Sequence, residues 1–339
     1  MRKRQIFIAL LAVVAIVSLL FFGRSKGQNE AIYQHNEGTI FGTLYHAKYL
    51  YDKDLKTEIE AELAKVDASL SMFNPKSTIS QINRNETDAT DEMLSEVLQL
   101  AFVVNKATDG AFDPTVAPLV NAWGFGFKSG EMPNSEQVDS LLSLVGLSYI
   151  RLQDGKLIKD NPLSILDFSA IAKGYGVDRA ADVLRGKGIK NFMVEIGGEV
   201  VTEGFNEKGE AWRIGINKPD DDSTSTNTEL QDIISLSGKA IATSGNYRNY
   251  YISEGRKIAH TINPKTGYPA QSDILSSTVM AKTCAEADAF ATAFMVLGLE
   301  EAKQVLQKQP GLEAYFIYSD NQGNYQTWCT EGFKQLIIE

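Results

Sequence analysis

Apolar and polar positions divide the chain into stretches of different period. The run from Ile6 to Phe22 is apolar except for Ser18, with Arg2, Lys3 and Arg4 before it and Arg24 and Lys26 after it. Such a run predicts a membrane anchor or secretory segment over residues 1–27, and its basic leading flank puts the rest of the chain outside the cytoplasm. Residues 28–37 are polar and without period, so they read as a tether to a globular body over 38–339. A first strand is expected in GTIFGTLYHAKYL (38–50), followed by helices over 54–70, 91–108 and 134–144. Thr90 or Asp91 is placed to cap the second helix, and Asn134 with Gln137 stands in capping-box register for the third, which Gly146 stops. The period then changes to short strands: YIRLQ and KLIKD around Asp154-Gly155, then FMVEI, VVTEG, AWRIGI, DIISLS, KAIAT, YRNYYI and ILSSTVMA. Helices over 284–297 and 299–308 and two strands, EAYFIYS and NYQTW, close the pattern. Helices and strands are grouped rather than alternating, which predicts an α+β body of mostly antiparallel sheet with flanking helices.

Composition narrows the chemistry. The chain has 339 residues with 33 Lys plus Arg against 43 Asp plus Glu, and a net charge of −10 argues against broad capture of nucleic acid. Its cysteines, Cys284 and Cys329, and its histidines, His35, His46 and His260, are not clustered, so a zinc ribbon or disulfide scaffold is excluded and a metal would sit among oxygen ligands. KPDDDSTSTNTEL (218–230) is an acidic, Ser/Thr-rich surface loop. No GxxxxGK[ST] is present, neither GFGFKSG (124–130) nor KGYGVDR (173–179) completes GxGxxG, and no GxSxG occurs. P-loop, Rossmann and serine-hydrolase sites are therefore unsupported.

Several polar, glycine-rich segments are set inside apolar surroundings. DGAFDPTVAPLVNAWGFG (109–126) could form a binding wall or a core plug anchored by Phe112 and Trp123. In LDFSAIAKGYGVDRAADVL (166–184), Asp167 is expected to end a buried strand, and Lys173 stands with Gly174 and Gly176 in the opening turns of an expected helix. Glycine costs a helix about 1 kcal/mol against alanine, so the two suggest close approach to the backbone, with Lys173 either holding a phosphate or paired with Asp178. AEADAFATAFMVLG (285–298) is apolar nearly all round, yet carries Asp288 and Thr292 at i, i+4. A buried carboxylate needs a partner: Mg²⁺ shared with the Thr292 hydroxyl and phosphate oxygens fits, and so does a cationic side chain such as Lys173. His260, in HTINPKTGYPA, is the one histidine beyond the first 50 residues and a candidate general base.

Taken in order, TDGAFDPTVAPLVNAWGFG, LDFSAIAKGYGVDRAADVL, VEIGGEV, AIATSGNY, HTINPKTGYP and EADAFATA resemble the ApbE family of FAD:protein FMN transferases over residues 38 to 330. The resemblance implies a T-fold-like body and a Mg²⁺-dependent enzyme that cleaves FAD, releases AMP and attaches FMN through a phosphoester to a Thr or Ser of a partner protein. It places the metal on Asp288, Thr292 and the carbonyl of Ala170, and FAD on Phe41, Phe73, Ala111, Phe112, Asp113, Asp167, Lys173 and Ile262. Phe41 departs from the family's usual methionine. Family members often carry a lipidated N-terminal cysteine, which this chain lacks, so the Ile6 to Phe22 run is the expected anchor, holding the body on the outer side of the cytoplasmic membrane near membrane electron-transport subunits as acceptors. His260 is the first choice of base. An FAD pyrophosphatase giving FMN and AMP and a non-catalytic flavin-binding protein share the same pocket and stay open as alternatives.

Overall fold

A computed structural model describes residues 32–126, 132–219, 229–246, 250–253, 256–320 and 322–338. The apolar N-terminal run, the start of the expected tether, most of the 218–230 loop and the end of the GFGFKSG segment lie outside these residues. Among the described residues, no helix is long and apolar enough to cross a membrane.

The strands are β1 (Ile32–Ile40), β2 (Thr43–Tyr51), β3 (Ile150–Gln153), β4 (Lys156–Lys159), β5 (Phe192–Ile196), β6 (Glu199–Glu203) and β7 (Trp212–Asn217). They continue with β8 (Leu230–Leu236), β9 (Lys239–Gly245), β10 (Tyr250–Ser253), β11 (Arg256–Ala259), β12 (Ile274–Ala281), β13 (Glu313–Ser319) and β14 (Tyr325–Cys329). The helices are α1 (Lys56–Leu70), α2 (Thr78–Asn83), α3 (Glu92–Ala107), α4 (Ala117–Ala122), α5 (Ser135–Leu142), α6 (Ala172–Gly186), α7 (Cys284–Leu297), α8 (Leu299–Lys308) and α9 (Glu331–Lys334). Eight strands make one sheet in the order β1-β2-β5-β6-β9-β12-β13-β14, with every neighbouring pair antiparallel. The expected α+β architecture is the observed one.

The central strands of this sheet are covered on both faces, and side-chain alternation sends β6, β9, β12 and β13 into two cores at once. Val201, Ala240, Ala242, Val279, Ala281, Ala314 and Phe316 face the helical layer of α6 and α7. Their neighbours Val200, Ile241, Met280, Tyr315 and Ile317 face a second core closed by the β7–β8 ribbon and Phe333 of α9. Runs of consecutive buried residues in β9 and β12 follow from this double burial. Local signals account for the finer features: Asn134 and Gln137 form the capping box of α5, and Asp154 and Gly155 turn β3 into β4 at φ of 52° and 71°.

Two expectations at the N-terminal side are corrected. The stretch read as one strand, 38–50, is a hairpin whose turn falls at Phe41 and Gly42, with φ of 51° and 75°. An aromatic at a position of positive φ hid the turn. The expected tether ends at least six residues earlier than residue 37, because 32–37 already belong to β1. β1 reads as polar since it is an edge strand with much of its surface in water, but Asn36 is buried, accepting from the Tyr49 hydroxyl at 2.7 Å and donating to Asp54 at 3.0 Å. The helix expected from Asp54 begins at Lys56.

Candidate functional site

α6 and α7 cross the helical face of the sheet, and what binds them together also places the polar groups of the site. Gly174 of α6 lies so close to α7 that a Cβ would stand 2.3 Å from the Cys284 carbonyl oxygen, so no side chain fits there. One turn on, the Asp178 carboxylate accepts the backbone N–H groups of Cys284 at 2.8 Å and Ala285 at 2.9 Å and so caps α7 from the neighbouring helix. Burial pushes the Asp178 carboxyl up to about 6, against the pull of those two N–H groups. The Lys173–Asp178 pairing considered from sequence is absent, and Asp178 serves a helix end more than a hundred residues away.

The contact brings three charged groups into one cluster. Asp288 on α7 is 2% exposed and accepts the Gly174 N–H at 3.1 Å. Lys173 pairs with Glu199, the first residue of β6, which is also 2% exposed. Burial pushes Asp288 up, opposed by the Lys173 charge and the Gly174 N–H. Burial pushes Glu199 up strongly, opposed by Lys173 and reinforced by Asp288. For Lys173 burial works against the charge, but Asp288 and Glu199 outweigh it and hold the ammonium above the usual lysine range. Thr292, one turn beyond Asp288, shares a hydrogen bond of 3.1 Å with the Ser244 hydroxyl at the end of β9.

The facing wall is built of loops. Asp113 accepts the N–H of Thr115 at 2.8 Å and of Leu147 at 2.9 Å and the Thr115 hydroxyl at 2.5 Å, so its carboxylate fixes the loop that carries Ala111 and Phe112. Burial raises the Asp113 carboxyl against these bonds. Asp167 accepts from the Ser169 N–H and hydroxyl, its own N–H donates to the Pro114 carbonyl at 2.7 Å, and burial raises its carboxyl. The Trp123 indole donates to the Gly267 carbonyl at 2.8 Å, joining the 109–126 loop to the 260–270 segment over a small core that includes Ile262. His260 is half-buried, edge-on to Phe125 at 6.3 Å between ring centres.

Between the walls lies a cavity of about 840 Å³. The candidate base, flavin-contact and metal positions line it: His260; Phe41, Phe73, Ala111, Phe112, Asp113, Asp167, Lys173 and Ile262; and Ala170, Asp288 and Thr292, whereas Trp123, Gly174, Gly176 and Asp178 stand behind its walls. The Phe41 ring occupies the space that a Gly176 side chain would need, 2.5 Å from its Cβ position, so part of this ring is spent on α6. Phe73 stands 66% exposed at the rim. Glu199 also lines the cavity, and sequence reasoning missed it although VEIGGEV was one of the quoted segments. The available signal was a carboxylate directly after a Gly-Gly turn at the head of an otherwise apolar strand.

The residues fit a hard cation. Asp288 is a buried carboxyl in no ion pair among the described residues, and it lines the same cavity as Thr292 and Ala170. Among the described residues no three His, Cys, Asp or Glu side chains are grouped to hold a metal, so a cation here would take one carboxylate, neutral oxygens and ligand oxygens, a set that would suit Mg²⁺ rather than zinc. Both cysteines are free, Cys284 buried and Cys329 partly so.

Comparison with known proteins agrees with this layout. The sequence profile of the ApbE family matches residues 41–316. A FAD:protein FMN transferase of Vibrio cholerae is 36% identical over 336 residues, 96% of this chain and 98% of its own, and one of Haemophilus influenzae is 37% identical over 341 residues, 96% of each. Among solved structures, the flavin transferase ApbE from Vibrio cholerae superposes with a TM-score of 0.81 at 34% identity, covering 90% of this chain and 99% of that one. The apo form of the Pseudomonas stutzeri flavinyl transferase ApbE gives 0.80 at 32%, covering 91% and 98%. With the profile spanning most of the body and relatives of this similarity matching nearly end to end, the chain belongs to the ApbE family.

Proposed function

We propose that this chain is a Mg²⁺-dependent FAD:protein FMN transferase that attaches FMN to a Thr or Ser hydroxyl of a partner protein and releases AMP. The observation that carries this reading is the convergence of residues from separate segments on one cavity of about 840 Å³, towards the upper end of the range usual for small-molecule and cofactor sites. Asp288, the Thr292 hydroxyl and the Ala170 carbonyl would hold Mg²⁺, which supplies charge neutralisation at the pyrophosphate when bound. Lys173 offers a positive contact to the same phosphates, while the Ala111–Asp113 loop, Phe41 and Phe73 cover the aromatic parts of FAD. The acceptor hydroxyl attacks the phosphorus on the flavin side, the phosphoanhydride bond breaks, and AMP leaves with the bond's electrons. His260, half-buried at the cavity wall, takes the hydroxyl proton.

The apolar run from Ile6 to Phe22 supports an anchor that holds the body on the outer side of the cytoplasmic membrane. Confinement there raises the effective concentration of acceptors held at the same surface, which favours membrane electron-transport subunits. The test is incubation of the full chain with FAD, Mg²⁺ and such a subunit. Flavin fluorescence retained by the denatured acceptor is expected, with AMP released in step. Release of FMN and AMP at one rate with or without acceptor, and no flavin on protein, would replace this reading with a pyrophosphatase.

A further inference from the structure

The charged cluster holds two carboxylates and one ammonium, and the ammonium is committed to the carboxylate that the mechanism does not use. Lys173 pairs with Glu199, whereas among the described residues no ion pair joins Lys173 to Asp288. Glu199 lies directly after the Gly197–Gly198 turn, and its Oε2 is buried without a hydrogen-bond partner. A buried ion pair with an unsatisfied oxygen is a poor stabilising device, since an apolar replacement of similar volume is commonly as stable, so its place in the cavity wall calls for another role.

We propose that Glu199 is a positioning residue: by holding the Lys173 ammonium it keeps that ammonium from closing onto Asp288, and so leaves the Asp288 carboxylate open to a divalent cation. The inference rests on the cation reading above and adds how the site prevents its own lysine from filling the cation's place. The physical basis is competition. Opposite charges at close range in a partly dry site attract several times more strongly than in water, so an ammonium without Glu199 turns to the one anion left in the cluster. Lys173 then has to be displaced before a cation can bind Asp288.

Mn²⁺ titrated into the full chain, with the free ion followed by electron paramagnetic resonance and Mg²⁺ as competitor, reads this directly without any turnover. Glu199→Gln keeps the shape and one acceptor for Lys173 but removes the charge. It should bind Mn²⁺ on the order of tenfold more weakly than the wild type. Adding Lys173→Met to Glu199→Gln removes the competitor and should bring affinity back to near the wild-type value. Equal affinity in the wild type and Glu199→Gln would overturn the inference. So would a loss that persists in the double variant, because Glu199 would then act as a ligand or through the fold. Absence of Mn²⁺ binding by the wild type, both alone and with FAD present to supply the ligand oxygens, would overturn the cation reading itself, and this inference with it.

Discussion

The two walls of the cavity are built on different principles. In the helical wall, Asp288 and Glu199 are each 2% exposed and held by contacts between α6, α7 and β6. In the loop wall, His260 is half-buried, and the 260–270 segment is tied to the 109–126 loop by the Trp123–Gly267 hydrogen bond and, at the surface, by an exposed Lys265–Asp109 ion pair. Groups that, in the proposed reaction, meet a pyrophosphate need fixed places in a desolvated setting, where preorganised charge acts most strongly. A base that, in the proposed transfer, meets the hydroxyl of another protein needs access. The helical wall supplies the first condition and the loop wall the second.

The largest effect that would sharpen this contrast is expected at Asp288. Asp288→Ala should abolish FMN transfer, a drop of at least about 10³-fold, scored as flavin fluorescence on denatured acceptor. In metal-free buffer at neutral pH the same variant should melt no lower than the wild type. Burial raises the folded-state pKa of this carboxyl, so its ionised form opposes folding. Wild-type transfer at limiting Mg²⁺ would break the assignment of the helical wall.

At the loop wall, His260→Ala should lower the transfer rate by about 10²–10⁴-fold while FAD affinity, read by fluorescence quenching, stays near wild type. Equal losses of rate and affinity would make His260 a contact or structural residue and erase the difference between the walls.

A smaller effect is expected from the packing beneath the helical wall. Gly174→Ala drives a methyl group into the Cys284 carbonyl and should cost about 1–3 kcal/mol, with a lower Tm and reduced activity. Gly186→Ala in the last turn of the same helix meets nothing within 4 Å and should leave Tm unchanged or slightly raised. If both substitutions behaved alike, the close contact of α6 and α7 would not be what positions the site.

The smallest effect is a pH dependence. The folded-state carboxyl of Asp178 is raised to about 6, above an unfolded value near 4. Between those values the folded protein binds the proton that the unfolded chain has released, so stability from this group grows as pH falls through about 6 and fades as pH rises through it. Denaturant melts of the wild type and Asp178→Asn should therefore diverge in favour of the wild type as pH is lowered from 7 to 4.5. A constant difference across that range would show that Asp178 caps α7 without being raised by burial.

What could be read in advance follows the range over which each feature is encoded. The α5 capping box, the Asp154-Gly155 turn and the Asp288–Thr292 pair each depend on residues within four positions of one another. Periodicity and local chemistry are sufficient for these. The hairpin at Phe41 escaped because an aromatic rarely takes positive φ, and here the ring's packing against Gly176 accompanies that strain. Glu199 escaped because nothing near it in the chain names its partner: Lys173 lies twenty-six residues earlier, on another element.

The sequence by itself therefore determined the class of fold, the grouping of helices and strands, the family, and a dozen of the positions that line the cavity. Only the tertiary structure decided which charges meet: that Lys173 takes Glu199 rather than Asp288 or Asp178, that Asp178 caps the neighbouring helix, and that Asp113 commits its carboxylate to Thr115 and Leu147. The reason is physical. Hydrophobic periodicity is a property of neighbouring residues, whereas the partner of a buried charge is chosen by desolvation and distance among groups that the chain brings together only when the sheet and its two crossing helices have packed.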